Sequence, residues 1–461
     1  METKNRELIG KLLLAAKAVD QGWAVVLGKQ SRVMDVMPHC PPAVHVEASI
    51  PAFKFEERIR PLLAVGHRLG CLCEEGIVYP DGRDYCQRKV GPEPLSRLSY
   101  YFANGQRQCD DITRWRETQA LHLAVSGNPR FDLLHPPYRS IYDASVRSIK
   151  QRIGCPFILV NTNFSLINPH PAYGNRLEKM RASGRVVTPE QERIWAHRVQ
   201  TKQRLAREYR QLVEALHRAG RTVVIRPHPS ENQAVWKTFA AEMERVHVIH
   251  DGSANAWMLA AEVVIHSGCT TGLEAFLLDR PVIAYLPEGL RDDESFINDL
   301  ALQAASLEQV LSLLQSLPCQ PLEPPDPNLA KRRSLARHYI ANSDRAFACD
   351  RILEMIQTDP PEPQPLAELR RRLRSRRRPL ARRLASGLSR QLICALPDRL
   401  SPASLRRRKV HHHLHRQKFP GLSRAELQAA LAQFRQLGVV ASPAEVERID
   451  TDLFLLTPTG G

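Results

Sequence analysis

The chain of 461 residues is long enough for two or three domains with cores of their own, and a content of 43% hydrophobic and 25% charged residues is ordinary for a globular protein. Its formal net charge of +16 favours anionic partners: nucleic acid, an anionic membrane face or phosphorylated substrates. No apolar run approaches the ~20 residues that a membrane span needs, and the chain opens with the charged stretch METKNRELIG. We therefore expect a cytoplasmic protein, either soluble or peripheral on the inner face of the cytoplasmic membrane.

The ten cysteines are scattered along the chain, and the closest pair, Cys71 and Cys73, has the spacing C-x-C. No Cys or His grouping has the spacing of a zinc site, so the pattern predicts reduced thiols in a cytosolic protein. The run HHH at 411–413 lies among basic residues and indicates surface charge rather than a metal site.

Apolar periodicity predicts an amphipathic helix over 5–20, followed by a short buried strand, WAVVLG, at 23–28. Strand-like and helical runs then alternate as far as about residue 150. Short apolar strands that alternate with helices imply a parallel sheet covered on both faces. We therefore predict a Rossmann-like N-terminal domain over 1–150, which would hold the acceptor.

A second alternation begins with the apolar strand FILV at 157–160. Its further predicted elements are a helix at 189–219, a strand at 222–229, a helix at 231–244, and the segments VHVIH, ANAWMLAAE, VVIHSG, TTGLEAFLLDR and PVIAYLP. This regular pattern predicts a second Rossmann-like domain over 151–358 that binds the nucleotide-sugar.

A third region is predicted over 359–461. It begins with the proline-rich linker DPPEPQP at 359–365 and continues into an arginine-rich amphipathic segment at 366–409. A last helix is predicted at 422–438, with Ser423 as N-cap and Glu426 three residues later.

Two strand ends in the second domain carry polar residues. The loop RPHP at 226–229 supplies Arg226 and His228 between prolines, and HSGCTT at 266–271 lies at the start of a helix. In parallel sheets ligands bind at the carboxyl ends of strands, where helix N-termini present free N–H groups. Hydroxyls, an imidazole and a helix N-terminus at one place suit a phosphate. The residues assigned to this second strand end are Ser267, Gly268, Thr270, Thr271 and Gly272, of which the glycines let a ligand approach the backbone.

Helix capping alone also explains small hydroxyl residues at a helix start, and the dipeptide HP occurs in many loops. The presence of both stretches on neighbouring strands of one domain favours a functional site. Glu274, one helical turn further along, could reach a ribose hydroxyl, and a solvated helix glutamate is the alternative.

The first domain contributes GCLCEEGIVYP at 70–80, in which an apolar strand leads to Glu74 and Glu75. Because neighbours in a strand point to opposite faces, only one of these carboxylates can point into a cleft. A carboxylate at a strand end is placed to act as a general base on an acceptor hydroxyl. A simple acidic turn is the alternative.

Together, CEEG, RPHP and HSGCTTGLEA resemble the acidic, HP and Ser/Thr motifs of inverting GT-B glycosyltransferases that use CMP-activated acidic sugars, such as bacterial sialyltransferases and Kdo transferases. Five further segments resemble the bacterial surface carbohydrate biosynthesis proteins, in order and over most of the chain. These segments are ETKNREL, SGNPRFDLL, VNTNFSLIN, RPHPSEN and KFPGL.

The resemblance implies a GT-B fold, an α/β architecture in which two Rossmann-like domains with parallel sheets face each other across a cleft. It implies that His228 contacts the phosphate of CMP and that Ser267, Thr270 and Thr271 hold the same phosphate. Glu75 would be the base, with Glu74 as the second choice. Further cleft residues by this resemblance are Arg226, Pro229, Asn161 and Asn163 on the donor side, and Arg130 in the turn GNPRFD.

A CMP-sugar has one phosphate, which hydroxyls, a helix end and an imidazole can hold without a metal. No DxD-type pair stands at a strand end, and RDDE at 291–294 has the pattern of a surface loop. We therefore predict metal-independent transfer without a cofactor. The resemblance also implies an apolar strand ahead of ETK, so we expect either an upstream start or a first domain that lacks a strand.

The arginine-rich segment 366–409 has three interpretations. It can be a solvated helical extension, or a basic amphipathic surface for the anionic cytoplasmic leaflet, where lipid-linked acceptors reside. The third is nucleic-acid binding, which the scarcity of aromatic residues in this segment disfavours.

The sequence thus predicts an inverting GT-B glycosyltransferase of bacterial surface polysaccharide biosynthesis. It would transfer a sugar from a nucleotide donor, CMP in our prediction, to a glycan or lipid-linked acceptor. One alternative keeps the fold and changes the chemistry to a CDP-alditol phosphotransferase or a UDP-sugar enzyme. The other is a non-catalytic nucleotide-binding scaffold whose basic tail binds membrane or nucleic acid.

Overall fold

A computed structural model describes residues 1–79, 81–115, 121–182, 188–290, 295–317, 328–342, 347–376 and 416–459. The strands are β1 Val25–Gly28, β2 Val44–Glu47, β3 Arg68–Cys71, β4 Tyr100–Ala103, β5 His122–Val125, β6 Ile158–Asn161, β7 Val223–Arg226, β8 Val246–Val248, β9 Val263–His266, β10 Val282–Tyr285, β11 Leu302–Ala304, β12 Ala444–Asp450 and β13 Leu453–Pro458.

The helices are α1 Lys4–Asp20, α2 Gln30–Val36, α3 Arg60–Ala64, α4 Gly82–Tyr85, α5 Pro92–Ser96, α6 Gln106–Trp115, α7 Pro129–Asp132, α8 Asp143–Ile153, α9 Arg176–Ala182, α10 Pro189–Arg218, α11 Gln233–Phe239, α12 Ala254–Ala260, α13 Thr270–Leu277, α14 Phe296–Asp299, α15 Leu307–Ser316, α16 Leu329–Tyr339, α17 Ala348–Gln357, α18 Leu366–Ser375 and α19 Arg424–Gln436. In the described ranges, no helix combines the length and the apolar character that crossing a bilayer requires.

The described residues form two compact units. Unit 1 contains 1–141, 334–376 and 418–459, and unit 2 contains 142–333 and 416–417. We predicted a second domain that extends to 358, and the structure differs there. Residues 334–358 belong to unit 1 because α17 packs on α1, α7 and β4.

Unit 2 holds six parallel strands in the order β11-β10-β9-β6-β7-β8. Its strands read as continuous apolar runs, such as VVI in β7 and β9, because helices cover both faces of the sheet. Within unit 2 the chain first forms the central strand β6. It then adds β7 and β8 on one side of β6, and β9, β10 and β11 on the other. The order of strands therefore reverses between β6 and β9, which is where doubly wound sheets bind their ligands.

Unit 1 contains two sheets. One is parallel with the order β2-β3-β4-β5, and the other has the order β1-β13-β12 and is antiparallel. The predicted α/β class, with a parallel sheet in each half of the chain, is confirmed. The predicted helical character of 359–461 needs correction, because its last described segment forms the hairpin of β12 and β13 that pairs with β1.

The leucine stripe of α18 faces the interior of unit 1. Leu373 is buried, and Leu366 and Leu369 pack against the same core. On the outer side, Arg370 and Arg374 form ion pairs with Glu447. The stripe at 366–375 is therefore not available as a membrane surface, and residues 377–409 of the predicted basic segment lie outside the described residues, as do 291–294 and 411–413.

Candidate functional site

Three segments with polar side chains lie side by side in unit 2, each at the carboxyl end of a strand. In the strand register Val160 pairs with Ile265, and Asn161 pairs with Arg226. The carboxyl ends of β6, β7 and β9 are therefore adjacent, at the point where the strand order reverses. The structure thus brings together the segments VNTN, RPHP and HSGCTT.

Several buried polar side chains at this edge lack partners. Asn161 is 3% exposed, and neither Oδ1 nor Nδ2 makes a hydrogen bond within the described chain. Ser267 is 5% exposed, and its Oγ, beside the Tyr209 hydroxyl, makes no hydrogen bond of good geometry. Buried polar groups are nearly always hydrogen-bonded, so groups like these indicate an external ligand.

The helix that starts at this edge is not capped by a side chain. Cys269 is the N-cap residue of α13 and makes no capping hydrogen bond. Thr271 Oγ1 is buried beside the Cys269 thiol without a hydrogen bond of good geometry. Thr270 is the first helical residue. The Thr271 N–H lies against the Cys269 thiol, a weak acceptor, so the start of this helix can still bind an anion.

A second loop that the sequence analysis missed borders the same turn. Gly268 has a φ of +80°, and a Cβ atom there would lie 3.6 Å from Asn298 Oδ1 and 3.9 Å from Ser295 Cβ. Asn298 is 7% exposed, and its Oδ1 makes no hydrogen bond; neither does Ser295 Oγ. No motif indicated these two residues, since Ser295 and Asn298 follow a loop whose position depends on the tertiary fold.

His266 is a further residue that was not predicted. Its Nδ1 accepts a hydrogen bond from Gly268 N at 3.0 Å, so the neutral ring carries its proton on Nε2, which has no partner. Burial lowers the pKa of His266 to about 4. A Cβ atom on Gly272 would lie 2.4 Å from Nε2, so Gly272 is required for packing against this ring.

Arg226, predicted to bind the donor, makes hydrogen bonds to the backbone of the loop after β8, and its role toward a donor stays a prediction. Its guanidinium donates to the carbonyl oxygens of Asp251 and Gly252 at 2.8 and 2.7 Å. Burial lowers the pKa of Arg226 to about 10, against the opposing effect of Asp251. The side chain therefore holds the loop after β8 in place.

His228 and Pro229 lie in the loop after β7. His228 Nδ1 accepts a hydrogen bond from Ser230 N at 3.1 Å, which makes Nε2 the proton-bearing nitrogen of the neutral ring. The carbonyl oxygen of Pro229 accepts a hydrogen bond from Gln417 Nε2 at 2.7 Å. The loop after β7 thus contains an imidazole whose N–H is on Nε2.

Glu231, also missed as a functional residue, joins the loops after β6 and β7. Its Oε1 accepts hydrogen bonds from Thr162 Oγ1, Phe164 N and His228 N at 2.8, 3.0 and 3.1 Å. Its Oε2 accepts one from Trp236 Nε1 at 2.9 Å. Burial raises the pKa of Glu231, and the hydrogen bonds oppose this effect. This carboxylate therefore fixes the position of His228.

Asn163 and Glu274 lie at the same end of unit 2, and both are half-buried. Asn163 belongs to the loop after β6, and Glu274 is the fifth residue of α13. Glu274 is close enough to Tyr142 to raise the pKa of that phenol, although burial is the larger cause. The predicted role of Glu274 toward a ribose stays a prediction.

Our prediction preferred Glu75 over Glu74 as the general base, and the surroundings of the two carboxylates in unit 1 favour the opposite choice. The side chain of Glu75 is 55% exposed and forms ion pairs with Lys89 at 2.6 Å and Arg6 at 3.4 Å. Burial would raise the pKa of Glu75, but Lys89 and Arg6 outweigh it and lower the pKa to about 2. A carboxylate with so low a pKa is a weak general base.

Glu74 is the buried member of the pair and follows the end of β3. Its Oε2 accepts a hydrogen bond from Asn128 Nδ2 at 3.3 Å, while Lys11 Nζ and Arg130 Nε stand further off, at 3.8 and 3.9 Å. Arg130, the predicted cleft residue, is buried with its guanidinium 4.5 Å from the Phe131 ring centroid. Glu74 is therefore oriented by a neutral amide and by two more distant cations.

Unit 1 also contains buried carboxylates with depressed pKa values. Burial opposes the ionisation of Glu7, but Lys11 and Arg6 outweigh it and lower the pKa of Glu7 to about 2. Burial likewise opposes the ionisation of Glu47. Its interactions with His45 and, to a smaller extent, with Lys11 help to lower its pKa to about 2 nevertheless. Both side chains thus remain ionised in the folded protein at neutral pH.

We expect unit 1 to lose stability as the pH falls from about 5 to about 2. The pKa of Glu7 is lower in the folded than in the unfolded state, so its contribution, ~2–3 kcal/mol, is present above the unfolded value and lost below it. Glu7→Gln should lower the free energy of unfolding at pH 7 and flatten its pH dependence. Urea titrations at pH 7, 5, 4 and 3 measure this, with the exposed Glu93→Gln as control; an unchanged slope in Glu7→Gln would contradict it.

Within the described ranges, no group of three or more His, Cys, Asp or Glu side chains is placed to hold a metal ion. No family model matches the chain, and no curated protein matches it either.

Several solved structures are similar to the chain at low identity. The wall teichoic acid polymerase TagF has 11% identity over 69% of this chain and 73% of that chain, with a TM-score of 0.41. The UDP-GlcNAc 2-epimerase of Methanocaldococcus jannaschii has 12% identity over 77% and 82%, with a TM-score of 0.40. The UDP co-structure of MnaA from S. aureus has 14% identity over 78% and 84%, with a TM-score of 0.42. Similarity at this level carries no argument about the family or the activity of this chain.

Proposed function

We propose that the protein is an inverting, metal-independent GT-B glycosyltransferase of bacterial surface polysaccharide biosynthesis. It transfers a sugar from a CMP-linked donor to a glycan or lipid-linked acceptor, and the donor nucleotide binds to unit 2 where β6, β7 and β9 end. One observation carries the nucleotide site: Asn161, Ser267 and Asn298 are buried, polar and without good internal partners next to the uncapped start of α13.

The chemistry of this cluster favours a single phosphate. Its groups are amides, hydroxyls, backbone N–H groups and the Nε2–H of His228, all of them neutral hydrogen-bond donors. The guanidinium of Arg226, the last residue of β7, donates to the backbone carbonyls of Asp251 and Gly252. Preorganised neutral donors can stabilise the charge that develops on a departing nucleotide monophosphate.

We expect CMP to raise the melting temperature of the protein by about 5 °C or more at a hundredfold excess over its Kd, since a ligand of the folded state stabilises it by mass action. The double variant Asn161→Ala, Ser267→Ala should lose this response. Differential scanning fluorimetry with CMP, CDP, UMP, UDP and GDP makes the measurement, and Gln200→Ala, an exposed change on α10, is the matched control.

The outcomes of this panel are distinct. A preference for CDP or UDP over CMP would contradict the CMP donor and favour the alditol phosphotransferase or UDP-sugar alternatives. No response to any of the five nucleotides would contradict a nucleotide site in unit 2.

We further propose that Glu74, rather than Glu75, is the general base. Glu74→Gln should lower the rate of CMP release from a CMP-sugar by about 10²–10⁴-fold, the usual contribution of a general base, with the thermal response to CMP unchanged. Glu75→Gln should stay within about threefold of the parent, because its carboxylate is exposed and held by Lys89 and Arg6.

Rates of CMP release under saturating donor separate the two variants. The assignment fails if Glu75→Gln loses more activity than Glu74→Gln. If both variants release CMP at the parent rate, neither carboxylate is the base. Only a parent protein that binds CMP but releases none from the donor would favour the scaffold alternative.

A further inference from the structure

The first part of α10 extends beyond the core of unit 2. The helix runs from Pro189 to Arg218, but its buried residues begin only at Thr201. Residues 189–200 therefore form about three helical turns, about 18 Å long, without a residue that the described chain buries. Tertiary packing provides most of the stability of a protein helix, so these turns are a candidate for contact with another molecule.

The apolar residues of these turns continue the side of α10 that packs in the core. Leu205 and Leu212 belong to the core of unit 2, and Ile194 lies about three full turns before Leu205, on the same side of the helix. Ile194 is 54% exposed, and it is the one exposed large apolar side chain in the described ranges. Trp195 and, one turn later, Val199 lie beside it, and both are half-buried. The packing side of α10 thus ends in an apolar patch that is open to solvent.

The charged residues of α10 between 193 and 207 are all basic. Four arginines, one lysine and one histidine stand there, and no aspartate or glutamate. Arg193, Arg198 and Arg204 are exposed, and none of them forms an ion pair with a residue of the described ranges. Arg198 lies one turn after Ile194, on the same side of the helix. Cations without a neighbouring carboxylate therefore adjoin the apolar patch.

An anionic bilayer surface fits both properties of this segment. Apolar side chains of a basic amphipathic helix enter the boundary between headgroups and acyl chains, where tryptophan is enriched. Arginine side chains beside them reach the lipid phosphates, and each basic residue near such a surface contributes about a fivefold gain in binding. Nucleic acid would also pair with the arginines, but its phosphate backbone would leave Ile194 in water.

We propose that residues 189–207 of α10 bind the surface of an anionic bilayer. Ile194 and Trp195 enter at the level of the headgroups, and Arg193 and Arg198 contact lipid phosphates. The leucine stripe of α18 cannot take this part, because it packs in the core of unit 1. The inference goes beyond the proposed function and does not depend on it, because binding to lipid requires neither a donor nor an acceptor.

The test measures co-sedimentation of the full chain with vesicles of phosphatidylcholine alone and with vesicles that also contain phosphatidylglycerol. The double variant Arg193→Gln, Arg198→Gln is compared with a matched control, Arg210→Gln, Arg218→Gln, which neutralises two exposed arginines further along the same helix. A second measurement uses brominated phosphatidylcholine in the mixed vesicles, which quenches the fluorescence of tryptophan at headgroup depth, on the parent and on Trp195→Phe.

The parent should sediment with the mixed vesicles but not with phosphatidylcholine alone, and high salt should release it. The Arg193 and Arg198 changes should weaken this binding by at least about tenfold, while the control pair stays within about twofold of the parent. Brominated lipid should quench the parent, and most of this quenching should be absent in Trp195→Phe, which still sediments.

Equal weakening by the two arginine pairs overturns the proposal, as does quenching that Trp195→Phe leaves unchanged or a parent that binds neither kind of vesicle. A single-stranded oligonucleotide that binds through Arg193 and Arg198, while the vesicles sediment no protein, also overturns it. The thermal response to CMP is measured on every variant and should equal that of the parent. Failure of the membrane surface is thereby distinguished from failure of the nucleotide site.

Discussion

Replacing Glu231 with alanine is expected to lower the free energy of unfolding of unit 2 by ~3–5 kcal/mol and to abolish the thermal response to CMP. The buried carboxylate accepts four hydrogen bonds from the loops after β6 and β7 and from Trp236. Without it, four buried donors are unsatisfied, and the backbone of His228 is no longer tied to the loop of Thr162.

Glu231→Gln provides a graded comparison. A glutamine can keep an oxygen toward Thr162 and Phe164, but its amide group cannot accept from Trp236 Nε1, so we expect a smaller loss of ~1–3 kcal/mol. Urea unfolding and the CMP titration are measured on both variants, with the exposed Glu244→Ala as control. A Glu231→Ala protein that unfolds like Glu244→Ala, or that still responds to CMP, would show that the carboxylate does not organise the site.

Regular periodicity made most of the elements predictable. The helix predicted at 5–20 is α1, the one predicted at 189–219 is α10, and the apolar run at 157–160 begins β6 one residue later. These segments have long stretches of unambiguous 3.6-residue or continuous apolar pattern, and tertiary contacts shift their ends by only a few residues.

The structure of the last segment was harder to predict from the sequence, because its pattern is short. Residues 444–458 contain a mixed segment, AEVERID, and an apolar run, LFLLTP, joined at Thr451 and Asp452, of which Asp452 has a φ of +58°. An acidic residue between β-type runs is a hairpin signal that the sequence analysis did not use. The partner of this hairpin, β1, lies more than four hundred positions earlier in the numbering, so pairing with it was not visible in local sequence.

The candidate site also contains residues that the sequence predicted and residues that only the folded structure reveals. Asn161 is the last residue of the apolar strand β6 and Ser267 follows the apolar strand β9, and the rule that ligands bind at strand ends was enough to find them. Asn298 and Glu231 were missed, because their importance depends on contacts with Gly268 and Thr162 that only the folded sheet creates. The choice between Glu74 and Glu75 likewise depends on Lys89, which alternation along a strand does not reveal.

Removing residues 440–461 is expected to unfold unit 1. The deletion takes away β12 and β13, and with them the strand partner of β1 in the described chain. Leu453, Phe454, Leu455 and Leu456 are all buried, and burial of four such side chains is worth ~6–12 kcal/mol, as much as the whole stability of an ordinary domain. The C-terminal segment is therefore part of the core of unit 1 rather than an appendage.

Calorimetry of the truncated protein should show that one unfolding transition is lost, while hydrogen exchange still protects the strands of unit 2. Two point variants scale the effect: Leu455→Ala should cost ~2–4 kcal/mol, and Glu445→Ala, whose side chain makes an exposed ion pair with Arg370, less than ~1 kcal/mol. A truncated chain whose unit 1 keeps protected amides in β3 and β4 would contradict this account. It would mean that the parallel sheet of unit 1 folds without the antiparallel sheet that the two ends of the chain build together.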